Sequence, residues 1–262
     1  MNSRFETRRV ARVRRKRRLN ALGHHRPGSS AVSILTGCSN HFPCLSESCP
    51  VCMRRFRKSL VRSGRQLSLP GFPWVRINIV LEGMDFLADE LHRFDIVRTL
   101  QMLRRRIQRS PLSSHMVIGG IDVSWNTLNN SGGYWQGHVY VLVSGTKTME
   151  LVRAIRRVFP PSPNTFRPNS IVQVRSTSAD FFKCLTYSYK AEFNWRSSYH
   201  EKRLKMDGSP RVNGRTRMLR GVQLAELSDW LSRYSVGDRL LLTGIRRLRA
   251  PQGTIRLALA TP

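Results

Sequence analysis

Acidic side chains are scarce in this 262-residue chain: 16 Asp plus Glu stand against 45 Lys plus Arg, a formal net charge of +29 at pH 7. Lysine is scarce as well, at 7 positions, so 38 of the basic groups are arginine. Arginine presents a planar, bidentate fork that matches phosphate, and a field of this sign draws polyanions. A codon bias in the source genome would give the same excess. Long apolar runs are missing too. No stretch approaches the roughly 18 apolar residues of a membrane span, and the first residues lack the apolar core of a signal peptide. With 5 cysteines and no export signal, a reducing, cytoplasmic setting is expected. Bilayer proteins and enzymes of small acidic ligands are therefore poor candidates, and nucleic acid is the leading partner. No internal repeat is visible. What remains is ample for a core: 40% hydrophobic residues and 8% aromatics exclude wholesale disorder.

The basic groups are unevenly spread. Residues 1–30 read as a basic arm in which Arg14, Arg15, Arg17 and Arg18 belong to an almost unbroken cationic block, solvated until a polyanion arrives. Residues 31–70 form a cysteine-rich segment. A main body over 71–192 carries a strand at 74–81, a helix over 85–110, two strands at 116–125 and 134–143, a basic amphipathic helix at 147–159, a strand at 171–175 and a helix at 179–191. That order predicts an α+β fold: a ferredoxin-like (RRM-like) antiparallel sheet with helices on one face. Five acids at 82–95 make the one acidic patch, expected to face away from nucleic acid. The remainder, 193–262, reads as a basic mobile loop at 196–220 followed by a helix at 223–234 and a strand or hairpin at 239–248.

Three groups of residues suggest chemistry. Cys38, Cys44, Cys49 and Cys52 lie within fifteen residues, and Cys49-Pro-Val-Cys52 is a knuckle that offers two sulfurs to one zinc ion, with His41 as a substitute ligand. Reduced buried thiols and a redox pair are the competing readings. Downstream, Arg54, Arg55, Arg57, Lys58, Arg62 and Arg65 supply basic groups without an acid, as a platform for phosphates would. Cys184 stands apart and reads as a buried structural thiol.

If the hairpin turn centres on Asn130, Asp122 and His138 face each other, and Tyr140 shares their face with Gly120 opposite, leaving it room. An adjacent Asp and His could hold Mg²⁺ or Mn²⁺ at a phosphate, or simply a hydrogen bond. On the 179–191 helix, Phe182, Leu185 and Tyr189 form a buried stripe. Tyr187 lies across from it beside Lys183 and Lys190, whose ammonium groups would favour a nucleophilic phenolate. A half-exposed tyrosine beside solvated lysines is the plainer reading.

CPVCMRRFRK (49–58), GGIDVSWN (119–126), WQGHVYVLV (135–143) and the Tyr-x-x-Lys of Tyr187–Lys190 occur in an order that resembles the HUH-superfamily rolling-circle plasmid replication initiators and related transposases. The resemblance spans residues 38–192. It implies a prokaryotic, cytoplasmic DNA-binding protein that nicks and rejoins single-stranded or hairpin DNA at a plasmid or mobile-element origin. Under it, Asp122 and His138 hold the divalent ion, Tyr187 forms a 5′-phosphotyrosine link, and Lys190 steadies the charge. One departure stands out, because the second histidine of the family's His-hydrophobic-His is Tyr140 here. A weakened nickase, rearranged ligands that include His115, and a descendant that no longer cuts all follow from that change. A non-catalytic zinc protein that binds DNA or RNA by charge and by stacking on Tyr140, Trp125 or Trp135 is the alternative, and a basic structural protein associated with RNA is a third.

Overall fold

The computed structural model describes residues 6–67, 73–80, 83–128, 132–159, 172–176, 181–204, 210–248, 250–251 and 253–260. Three helices come first: α1 (Arg8–His25), α2 (Ser30–Thr36) and α3 (Pro50–Gly64). Then follow β1 (Trp74–Ile79), β2 (Asp85–Leu87), α4 (Ile96–Gln108), β3 (Val117–Leu128), β4 (Tyr134–Ser144), α5 (Met149–Val158), β5 (Val172–Ser176) and α6 (Phe181–Tyr187). The chain continues through β6 (Asn194–Leu204), β7 (Pro210–Met218), α7 (Gly221–Ser232), β8 (Leu240–Thr243), β9 (Ile245–Leu248) and β10 (Arg256–Leu259).

The fold is α+β around a mixed sheet in the order β5-β1-β4-β3-β6-β7, with β2 paired to β4 and β8 to β3. The pairs β5/β1, β1/β4 and β4/β3 are antiparallel, whereas β6 joins β3 in parallel. A purely antiparallel sheet is therefore corrected. The polar 196–220 stretch, expected to be a mobile loop, instead supplies the β6/β7 hairpin around residues 205–209, which lie outside the described set. The central hairpin has the anticipated register, with Asp122 opposite His138 and Gly120 opposite Tyr140. The turn centre itself, 129–131, lies outside the described residues, as do Pro160, Pro161 and the start of the 179–191 helix.

Period-two alternation divides the sheet. Val75, Ile77, Ile121, Val123, Val139 and Val141 point into one core with Leu100, Leu103 and Ile107 of α4 and Leu151 and Ile155 of α5. Asp95 and Thr148 cap these two helices by accepting from the Arg98 and Leu151 backbone N–H groups at 2.9 and 3.2 Å. The opposite face, which carries Asp122, His138 and Tyr140, is covered too. A second core there joins Leu22, Leu35, Phe56 and Leu60 of α1–α3 to Ile118, Leu142, Leu185 and Tyr189. Helices thus pack on both faces, not on one.

Two further expectations are corrected. Of residues 85–110, only 96–108 form the helix: Phe86 and Leu87 lie in β2, Asp89 turns the chain with a positive φ of 64°, and Asp95 starts α4. Residues 8–25 are a helix rather than a solvated arm. Ala11, Ala21 and Leu22 give α1 a small apolar face against α3 and α7, and Thr7 caps it, accepting from the Val10 N–H at 3.2 Å. Its crowded cations are absorbed by acceptors. Arg14 pairs with Glu192 at 2.8 Å, Arg15 donates to the Cys38 carbonyl at 2.5 Å, and Arg17 to the Leu219 carbonyl at 3.1 Å. Arg18 is buried and bonds the carbonyls of Ser48 and Ala191 at 2.6 and 2.9 Å.

A buried ion pair locks the layers. Arg239 donates to Glu47 at 2.7 and 3.0 Å and to the carbonyls of Ile121 and Ser188, each at 3.0 Å, while the Gly237 N–H satisfies the other Glu47 oxygen at 3.0 Å. The pair fastens the cysteine-rich segment to β3 and to the turn after α6.

Candidate functional site

Asp122 sits mid-strand in β3, 1% exposed. Lys190 reaches it from the turn that follows α6, because the helix stops at Tyr187 instead of running on to 191. Ser188 and Tyr189 form that turn, and Lys190 is delivered onto the Asp122 Oδ2 oxygen as an ion pair. The other oxygen, Oδ1, is buried without a hydrogen-bond partner among the described residues. Across the strand, His138 shares a hydrogen bond with the Ser124 hydroxyl at 2.9 Å through Nε2. Tyr140, two residues on, has its ring centroid 6.1 Å from that of His138 and 4.5 Å from that of Tyr187. The Lys190 ammonium lies 4.8 Å from the centre of the Tyr187 ring. Asp122, His138, Tyr187 and Lys190 therefore gather on one face of the sheet; the strand spacing anticipates only the Asp122–His138 pairing.

A cleft of about 240 Å³ opens beside them, lined by Arg76, Asn78, Tyr140, Cys184, Tyr187 and Arg196. Arg76, Asn78 and Arg196 escaped the sequence reading. Arg76 and Asn78 alternate on β1, with Asn78 paired to Tyr140, so extending the period-two argument one strand further would have found them. Arg196 could not be found that way, since its strand was read as a loop. Cys184 is half-buried and not enclosed, and contacts the Arg76 guanidinium at 3.9 Å. Lys183 is exposed on α6, outside the cleft lining.

Burial raises the Tyr140 phenol well above its ordinary value, and the Asp122 charge and Tyr187 add to this against an opposing effect of Arg196. Its surroundings thus favour the neutral phenol of Tyr140. Tyr189 is fully buried and its phenol is also raised, chiefly by burial; its hydroxyl donates to the Gly119 carbonyl at 2.7 Å. The space at Gly120 serves this hydroxyl and not Tyr140: a Cβ there would lie 2.5 Å from the Tyr189 oxygen. His115 is no candidate for the shell. It sits at the far end of the strand, roughly 23 Å away by strand rise, with Nδ1 2.6 Å from the Ser144 carbonyl.

The donor set at the sheet centre fits a divalent ion as far as two residues can. The orphaned Asp122 Oδ1 is a hard oxygen with free lone pairs, and Mg²⁺ commonly takes one or two protein ligands and fills its shell with water and substrate phosphate. Among the described residues no third acid or histidine joins them.

The cysteine centre is more complete. The four Sγ atoms of Cys38, Cys44, Cys49 and Cys52 lie within 4.8 Å of one another. Cys38 is 3.6 Å from both Cys49 and Cys52, and Cys44 is 3.8 Å from Cys52. A tetrahedron of Zn–S bonds near 2.3 Å has edges of about 3.8 Å, so the cluster can hold zinc with little movement. The order arises locally: Cys38 follows α2, while Cys49 caps α3 and Cys52 lies in its first turn behind Pro50. Neighbouring thiols together with burial push Cys38, Cys44 and Cys52 up to about 12, whereas Cys49 is lowered, the pattern of one thiolate shared by its neighbours. His41 is not among the clustered ligands.

No family model, no curated protein and no solved structure matches this chain. Its chemistry has to be read from its own residues. Of the basic groups expected to meet nucleic acid, Arg18 and Arg57 are buried and committed internally, Arg57 to Glu6. Arg14, Arg15 and Arg17 are tied to acceptors, and Arg54 donates to the Glu6 carbonyl at 2.7 Å. Arg55 and Lys58 carry no such tie among the described residues. No helix among the described residues is long and apolar enough to cross a membrane.

Proposed function

We propose that the protein is a DNA-nicking enzyme of the replication-initiator type, with Tyr187 as nucleophile and single-stranded origin DNA as substrate. The observation that carries this reading is the convergence of Asp122, His138, Tyr187 and Lys190, drawn from β3, β4, α6 and the following turn. We read the antiparallel strands β5-β1-β4-β3, connected through α4 and α5 within the mixed sheet, as a ferredoxin-like core, which supports the proposal. A single strand suits the cleft. Tyr140 and Tyr187 offer faces on which a base can stack, and Arg76 and Arg196 are placed to pair with phosphates.

In the reaction, the Tyr187 oxygen attacks phosphorus and forms the phosphotyrosine ester. The bond to the 3′ oxygen breaks; the phenol gives its proton to solvent, and the departing 3′ oxygen takes one from solvent to become a hydroxyl. Lys190 lies close enough to the ring to neutralise charge on the phosphoryl oxygens. A divalent ion, held by Asp122 and His138, would supply Lewis-acid polarisation of the phosphate. The free 3′ hydroxyl then primes synthesis at a plasmid origin or attacks another end, as transposition requires.

The test is a covalent adduct. Purified protein is incubated with a library of labelled single-stranded and hairpin oligonucleotides in Mn²⁺ and resolved under denaturing conditions. An adduct is expected for the natural protein and for Lys183→Ala, and none for Tyr187→Phe. No adduct across the library sinks the reading.

One observation favours a second reading. The Lys190 ammonium already neutralises Asp122, and Tyr140 stands where the family pattern has its second histidine. A cytoplasmic DNA- or RNA-binding protein that no longer cuts would keep binding single strands at the same cleft, with an affinity indifferent to Mn²⁺ and to Tyr187→Phe.

A further inference from the structure

A second groove, of about 800 Å³, runs between α3 and β10 and is ringed by Arg8, Arg54, Arg55, Lys58, Arg62 and Arg256. It shares no lining residue with the cleft at Tyr187. Among the described residues no acid lines it. Its cations differ from Arg14, Arg15, Arg17 and Arg18 of α1, which are held by carbonyls and a carboxylate: among the described residues the side chains of Arg8, Arg55, Lys58, Arg62 and Arg256 have no hydrogen-bond or ion-pair partner. Bringing five unpaired cations to one concavity creates a local positive potential that a polyanion spanning them neutralises.

The groove is built rather than incidental. The Ser59 hydroxyl donates to the Ile255 carbonyl and accepts from the Ile255 N–H, both at 2.8 Å, and Ser63 accepts from the Leu257 N–H at 2.6 Å. β10 is thus fastened to the same face of α3 that presents the cations. Beneath, the cysteine cluster fixes the start of α3. Arg54, Lys58 and Arg62 recur every four residues and line one edge for about 12 Å, the length of three to four base steps.

We propose that this groove binds the phosphate backbone of double-stranded DNA, apart from the single-strand cleft and whether or not Tyr187 reacts. Among the described residues none that lines it is aromatic, which favours the duplex over a single strand. Sequence-tolerant single-strand sites draw affinity from bases stacked on aromatic rings, whereas sequence-tolerant binding of a duplex, whose base faces are stacked inside, rests mainly on its phosphates. The molecule thereby carries two nucleic-acid sites of different chemistry: an aromatic, enclosed cleft for an unpaired strand and an open cationic groove for the duplex beside it.

The test compares two triple variants of equal charge change. Arg55→Gln/Lys58→Gln/Arg62→Gln empties the groove; Arg153→Gln/Arg156→Gln/Arg157→Gln removes three exposed arginines from α5. Binding of a 20-base-pair random-sequence duplex and of a poly-dT single strand is followed by fluorescence anisotropy across a salt series. Circular dichroism melts check that both variants stay folded. The groove variant is expected to lose about 2.7 from the slope of log affinity against log salt, and about 100-fold in duplex affinity at 0.15 M salt. The α5 variant should lose little, and poly-dT binding should change little in either. Arg55→Lys/Arg62→Lys, which keeps the charges, should restore duplex binding. Equal losses in the two triple variants would mean diffuse attraction and overturn the proposal. So would an unchanged groove variant, or one that loses poly-dT as strongly as duplex. None of these outcomes depends on adduct formation, so failure here is separable from failure of the nickase reading.

Discussion

Replacing Arg239 by Met would leave the Glu47 carboxylate buried at the junction of the cysteine segment, β3 and the α6 turn, together with the bared carbonyls of Ile121 and Ser188. Removing one member of such a pair typically costs about 3–5 kcal/mol, and denaturant melts should show it; Glu47→Gln combined with Arg239→Met should recover part of the loss. Asp85 offers a test of opposite sign. Partial burial raises its carboxyl above the ordinary value, with the Gln136 amide opposing. The folded state therefore binds that proton more tightly than the unfolded chain, which lowers stability at neutral pH and not below the unfolded value of 3.8. Asp85→Asn should raise the melting temperature at pH 7 and leave it unchanged at pH 3; a lower Tm at pH 7 would refute the assignment. At this scale the sequence was informative where the rule is geometric. The turn arithmetic placed Asp122 against His138, since strand register carries side chains with it. It missed the Lys190–Asp122 pair, because the early end of α6 is set by where Tyr189 is buried, a tertiary demand with no local signature.

At the scale of elements, the spacing of Cys38, Cys44, Cys49 and Cys52 was legible because metal ligands must converge whatever surrounds them, and the four sulfurs do lie together. One zinc per chain is expected by atomic absorption. Cys52→Ser should abolish it and lower the melting temperature, while His41→Ala should do neither. The helix α1 was illegible for the complementary reason. Its apolar face is small, and its cations suggested self-repulsion, yet the carbonyls of Cys38, Ser48 and Leu219, in the segments between elements, accept several of them. Alternation likewise revealed β1, β3 and β4, but β6 was hidden, because its pairing depends on a partner strand far away in the chain.

Across the whole molecule, a net charge of +29 pointed to a polyanion without saying where it binds. The structure sorts that charge into arginines that hold the protein together and arginines that face solvent. Arg18 and Arg57 belong to the first class, so Arg18→Met should lower the melting temperature with little change in the salt dependence of DNA binding, whereas the groove cations should do the reverse.

The long reach of the internal ties also has a consequence in time. Glu47 waits for Arg239 across 192 positions, Arg14 for Glu192 across 178, and Ser59 for Ile255 across 196. Contacts of such separation form late, after the loops between them have closed. A chain still emerging from the ribosome can fold the central hairpin, but it lacks the arginine that clamps the turn behind Tyr187. The surroundings of Tyr187 would thus be completed only after residue 239 has been made and has reached the Ser188 carbonyl.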